Sequence, residues 1–257
     1  AAHLCLATAA FILAYDPVVW LVRTWTDPSY DSQGFIVFAL CAALFLWSVT
    51  SKKLSYRPIR KTFPFALIGF SALFRLVGQV FAINMIGAFT LMIDVYAVAL
   101  LCGLHRRERA ISPLWLAITF GFSLPLERVI QRTIGYGLQN LSADGACSVL
   151  KTAFEQVQCS GIRILIDAQD VLVDLPCSGA RSFLLLLCLF FVCSSLSRLT
   201  VRHAALGVLA TVASAYVMNV VRITVLASAL AHPELVGGLD VMAQPTHDIL
   251  GLIFLGI

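Results

Sequence analysis

The stretch AALGVLATVASAYVMNVVRITVLASAL, residues 204–230, decides the class of fold. It is apolar over nearly its whole length and carries one charge, Arg222. About twenty predominantly apolar residues cross a bilayer as a helix, so this run reads as a transmembrane span. Similar runs lie at about 4–22, 34–50, 63–81, 84–103, 111–126, 180–197 and from 248 onward. The chain is 60% apolar and 12% charged, whereas charged residues make up about a quarter of a soluble domain. The expected fold is an all-α polytopic membrane protein of about eight transmembrane helices, one domain over residues 1–257. Asp16-Pro17 inside the first run, with no clear small-residue cleavage site, argues against a signal peptide. The last run, 248–257, gives about 16 Å of helix counted from His247. It is expected to be an incomplete last helix, with a re-entrant element as the alternative.

Basic residues set the orientation. Lys52, Lys53, Arg57, Arg60 and Lys61 share one connection; Arg106, Arg107 and Arg109 share another; Arg198 and Arg202 a third. With this count of spans all three face the cytoplasm. The formal charge of +4 therefore reports membrane orientation, and no basic face interleaved with aromatics points to nucleic acid. The opposite, extracytoplasmic side receives the outer segment 127–176 and the segment 231–247. Arg222 lies 19 residues past His203, about 28 Å of helix, and so falls near the outer boundary.

Three features end on that side: Pro176-Cys177-Ser178-Gly179, then Asn219-Val220-Val221-Arg222, then His247 with Asp248. A thiol, a guanidinium and an imidazole that converge there form a set suited to cysteine acyl transfer. The alternative for Pro-Cys-Ser-Gly alone is a loop-to-helix junction with a buried thiol. Residues 161–176 read as two short strands around the turn Asp167-Ala168-Gln169-Asp170, a β-hairpin that leads to Cys177. Gly179 leaves room for a substrate backbone. Asn219, one helical turn before Arg222, either orients that side chain or satisfies a neighbouring backbone.

The eight cysteines divide by location. Cys5, Cys41, Cys102, Cys188 and Cys193 lie in or beside apolar runs and read as small buried hydrophobes. Cys147 and Cys159 share the outer segment, where an oxidising compartment favours a disulfide; two unpaired thiols are the alternative. Cys177 is then the odd outer thiol. No zinc spacing, phosphate-binding glycine loop or G-x-S-x-G motif occurs, so neither metal nor cofactor is expected. Arg75 and Asp94 both fall about 17 Å into adjacent antiparallel spans, where an unpaired charge is costly. They read as an intramembrane ion pair, with a transporter's ion pathway as the alternative, and Asp16 competes for the same Arg75.

Taken together, Pro176-Cys177-Ser178-Gly179-Ala180-Arg181, Asn219-x-x-Arg222-Ile223 and His247 before a terminal span resemble the exosortase/archaeosortase family. The hairpin and the eight-span layout are similar as well. Pro-Cys-Ser-Gly-Ala-Arg, with the Leu-His-Arg-Arg and Leu-Pro-Leu-Glu-Arg segments, looks most like the exosortase T subfamily. Ala180 stands where the family usually has Ile or Leu. The resemblance implies a cysteine transpeptidase of the inner membrane. Its partners would be exported proteins whose C-terminal sorting tail holds a motif, a transmembrane helix and a basic cluster, together with an envelope acceptor and the lipid bilayer. Cys177, Arg222 and His247 would be catalytic, and Ser178, Gly179, Arg181 and Asn219 would position substrate. In archaeal relatives the third position is Arg, which leaves the acid/base role of His247 less firmly implied than the nucleophile. A membrane thiol–disulfide oxidoreductase pairing Cys177 with Cys147 or Cys159 is a competing reading, as is the transporter; the oxidoreductase lacks the usual close Cys pair.

Overall fold

A computed structural model of the chain describes residues 2–30, 32–54, 61–166, 169–172, 179–232 and 234. These are mostly helical. In chain order they form α1 (Ala2–Thr26), α2 (Gly34–Val49), α3 (Thr62–Val80), α4 (Asn84–Leu101), α5 (Pro113–Gly121), α6 (Leu126–Thr133) and α7 (Gly135–Ala153). Strands β1 (Val157–Ser160), β2 (Arg163–Ile166) and β3 (Gln169–Leu172) follow, then α8 (Ala180–Ser197) and α9 (Val201–Ala231).

Among the described residues, α3, α4 with its extension to Arg106, α8 and α9 are long and apolar enough to cross a membrane. The pair α5 and α6, bent by 67° at a short break, makes a fifth crossing if it is one broken span. That is fewer than the eight runs read from hydropathy. Residues 34–50 give a helix of only 16 residues, and 111–126 give one of 9 before the break. The expected span at 4–22 is helical as part of α1, which carries Asp16, Pro17 and Arg23. The run from 248 lies outside the described residues.

Burial follows the logic of a protein in lipid. Large apolar side chains face outward, among them Phe11, Ile36, Leu73, Val80, Leu206 and Leu209. Polar side chains turn inward, as do Ser48, Ser71, Arg75, Thr90, Thr119 and Ser194. The protein interior offers apolar groups nothing that lipid denies them, so it is left to small and polar contacts between helices.

The chain divides into two compact units. The first holds the described residues of 1–126 and 188–204. Its α3–α4 hairpin closes on Ala82, whose φ is 54°. The Ile83 N–H donates to the Gly78 carbonyl at 2.8 Å and the Ala82 N–H to that of Gln79 at 3.1 Å, a Schellman ending that stops α3 sharply. The basic connections of this unit are hydrogen-bonded to one another. The Leu54 N–H donates to the Arg106 carbonyl at 3.0 Å, and the Glu108 N–H to that of Lys52 at 2.9 Å. The Ser112 N–H reaches the Ser195 carbonyl at 2.9 Å, and the Trp115 indole that of Leu199 at 2.7 Å.

The second unit holds the described residues of 127–187 and 205–257. Its strands form an antiparallel sheet in the order β1-β2-β3. The expected hairpin is β2 and β3, with two of the four expected turn residues in a strand instead. Ile166 pairs with Gln169, which places Gln169 and Asp170 in β3. The sequence reading lacked β1 because four residues of mixed polarity give little period to read. Gly161, with φ 58°, turns the chain from β1 into β2.

The larger revision is α7, a helix in the outer segment 127–176, where the hairpin was the one element expected. Its glycines and its Gln, Asn, Ser and Asp residues are weak helix formers. Tertiary packing supplies what propensity lacks. A Cβ at Gly145 would lie 2.6 Å from the Tyr216 hydroxyl and 2.7 Å from a Val220 methyl, so the glycine admits α9 to close approach. Ala143, Ala146 and Leu150 of α7, Ile164 and Ile166 of β2, and Val220, Ile223 and Ala227 of α9 then form one buried cluster.

Candidate active site

Asn219 and Arg222 lie three residues apart on α9, on neighbouring parts of one face. Asn219 is buried at 5% exposure and Arg222 is partly buried. The Asn219 Nδ2 donates to Ser142 Oγ of α7 at 2.9 Å. Ser142 is itself buried, at 3% exposure.

Gly179 reaches the same asparagine from α8. Its φ is 77°, a left-handed conformation that favours glycine. A Cβ there would lie 2.6 Å from Asn219 Cγ and 2.8 Å from its Nδ2. Both conditions demand glycine. The Gly179 carbonyl accepts from the Phe183 N–H at 2.8 Å, so Gly179 caps α8. The turn that opens α8 thus rests against the Asn219 side chain. The space that a Cβ of Gly179 would take is filled by the protein's own asparagine. Cys177, Ser178 and His247 lie outside the described residues.

A family model for transmembrane exosortases matches residues 25–257, from the end of α1 through the rest of the chain. The chain belongs to the transmembrane exosortase family. No curated protein and no solved structure matches it. Membership points, at family level, to a membrane-embedded transpeptidase or protease of cysteine type that acts on exported proteins with sorting signals.

In this exosortase Arg181, on the first turn of α8, pairs with Glu127 of α6 at 3.5 Å. Glu127 also accepts from Gln131 Nε2 at 3.2 Å. Both partners of the ion pair are partly exposed, so the pair contributes little to stability but ties α6 to the start of α8. Glu127 belongs to the Leu-Pro-Leu-Glu-Arg segment, to which the ion pair gives a structural task. Ser142 carried no signal at all, because nothing near it suggested a helix.

Cys147 and Cys159 form a disulfide, with their Cα atoms 6.4 Å apart. It joins α7 to β1. Of the thiols read as buried hydrophobes, Cys41 is buried, Cys102 and Cys188 are partly buried, and Cys193 is exposed on α8. A position facing lipid suits Cys193, since a thiol is no less apolar than its neighbours there.

Arg75 and Asp94 belong to the first unit. Arg75 is fully buried and forms an ion pair with Asp94. Its other donors reach the Thr90 hydroxyl at 3.0 Å, the Ala10 carbonyl at 2.9 Å and the Ser71 hydroxyl at 3.2 Å. The guanidinium therefore fastens α1, α3 and α4 together. Asp16 accepts instead from Gln79 Nε2, at 3.2 Å. Asp94 also lies on the wall of an apolar cavity of about 950 Å³ between α1, α2, α4 and α5. Among the described residues no three His, Cys, Asp or Glu side chains gather to hold a metal ion.

Proposed function

We propose that this exosortase is a cysteine transpeptidase that cleaves the C-terminal sorting tails of exported proteins and transfers them to an envelope acceptor. We place it in the inner membrane as one eight-span domain of the exosortase T type, its active site on the extracytoplasmic face. The Cys177 thiolate attacks the scissile carbonyl, and the new Sγ–C bond gives a tetrahedral oxyanion. Arg222 stabilises that charge. His247 donates a proton to the leaving amine as the C–N bond breaks, leaving a thioester on Cys177. It then takes the proton of the acceptor nucleophile, which attacks the thioester and releases Cys177. Arg222 also favours the thiolate of a thiol whose ordinary pKa is about 8.5.

The observation that carries this reading is the contact between Gly179 and Asn219. It joins the motif that holds the thiol to the motif that holds the guanidinium. Cys177 is two residues before Gly179, a tether of about 7 Å at most. One turn of α9 separates Asn219 from Arg222, about 5 Å along the axis. The test is cleavage of a sorting-tail substrate in membranes. Cys177→Ala is expected to abolish it with the fold intact, because a small side chain is lost. Cys177→Ser should fail as well, and Arg222→Lys should be poor because the planar fork is gone. Normal cleavage by Cys177→Ala would end the proposal.

A further inference from the structure

We propose that Ser142 is a positioning residue of the active site: its hydroxyl holds Asn219 against Gly179 and so fixes the start of α8, which follows Cys177 in the chain, relative to Arg222. The inference rests on the transpeptidase reading above. Three elements meet at one amide. Asn219 of α9 donates from Nδ2 to Ser142 of α7 at 2.9 Å. The same side chain fills the space where a Cβ of Gly179 would stand, 2.6 Å from its Cγ. Ser142 and Asn219 are both almost wholly buried, so the bond is made away from competing solvent.

A buried Asn is bulky and polar, and its rotamers differ in where they press. The Ser142 hydroxyl, by accepting from Nδ2, favours the rotamer that presses on Gly179. α7 is a firm support for it. The helix is packed on α9 at Gly145, against Tyr216 and Val220, and is bonded to β1 through Cys147 and Cys159. Serine is also a poorer helix former than alanine. A hydroxyl at this mid-helix site is therefore explained by the bond it makes and not by the helix it sits in. A small shift at the nucleophile lowers a rate far more than it lowers binding, since reaction needs near-attack geometry.

The experiment is a double-mutant cycle in the full chain in membranes, with Ser142→Ala, Asn219→Ala and the two combined. Two quantities are read: kcat and KM for cleavage of a sorting-tail substrate, and the rate of Cys177 alkylation by iodoacetamide as a function of pH. Ser142→Ala is expected to lower kcat about tenfold while KM stays within about twofold. In the Asn219→Ala background the same change should cost nothing further. Ser142→Thr and Ser142→Val fix the volume and differ in the hydroxyl, so they decide the matter if Ser142→Ala fails to accumulate. Thr is expected to be active and Val impaired. Equal losses from Ser142→Ala with and without Asn219, or equal activity of Thr and Val, would overturn the proposal. If the wild-type protein cleaves no sorting tail, the transpeptidase reading falls, and the alkylation cycle alone decides for or against the role of Ser142.

Discussion

Replacing Gly179 by alanine tests the contact on which the functional reading stands. Two costs follow from its geometry. The residue has φ 77°, and a left-handed conformation costs an L-residue roughly 1–2 kcal/mol. The added Cβ would lie 2.6 Å from Asn219 Cγ, too close for any real pair of carbons, so something must move. If Asn219 moves, its 2.9 Å bond to Ser142 breaks and leaves buried polar groups unpaired, at about 1–3 kcal/mol. The sum is about 2–5 kcal/mol, a large part of the stability of an ordinary domain. If the start of α8 moves instead, the cost appears in catalysis, where a displacement of about 1 Å lowers a rate by up to about a hundredfold. Thermal unfolding in detergent and sorting-tail cleavage in membranes measure the two outcomes. A second substitution separates the causes. Asn219→Ala removes the atoms in the way but leaves the backbone strain. Gly179→Ala should then cost only about 1–2 kcal/mol in that background. Wild-type stability and cleavage in Gly179→Ala would refute the reasoning, as would an identical loss in both backgrounds.

Two further predictions concern the scaffold. Asp94→Ala leaves the fully buried Arg75 without its counter-charge and should destabilise by about 3–5 kcal/mol; the double change Arg75→Met with Asp94→Leu should recover most of this in detergent unfolding, and an Asp94→Ala protein as stable as wild type would refute the staple. The Cys147–Cys159 disulfide closes a separation of 12 residues, so Cys147→Ser with Cys159→Ser should cost about 3 kcal/mol; thiol titration under denaturing, non-reducing conditions should find both sulfurs unreactive, and free thiols there would refute the link.

What the sequence disclosed depended on whether a signal was local. Residues 204–230 announce a helix by length and apolarity alone, and α9 covers them. The pairing of Arg75 with Asp94 was legible because α3 and α4 are joined by a connection too short to offset them. Their further partners were not legible, since Ser71, Thr90 and the Ala10 carbonyl are ordinary residues until helices bring them together. Hydropathy reads crossings at α2, a helix of 16 residues, and across the break between α5 and α6, where helix length alone does not show them. It undercounted helices in the outer segment. Glycine and polar residues there give little helical signal, and α7 is held by packing on α9 and β2 and by the disulfide to β1.

Gly179 shows where the limit lies for the site itself. From sequence, a glycine after Cys-Ser says that a side chain is not tolerated, and leaves open whether backbone angle, substrate or protein is the cause. The structure answers with two causes, a φ of 77° and the Asn219 amide. The spacing Asn219-x-x-Arg222 likewise shows a shared face but not what the face meets. Once Asn219 is seen between Gly179 and Ser142, the two motifs cease to be separate clues. Asn219 is then the joint between the turn that opens α8 and the helix α9, and in our proposal Ser142 keeps that joint from turning.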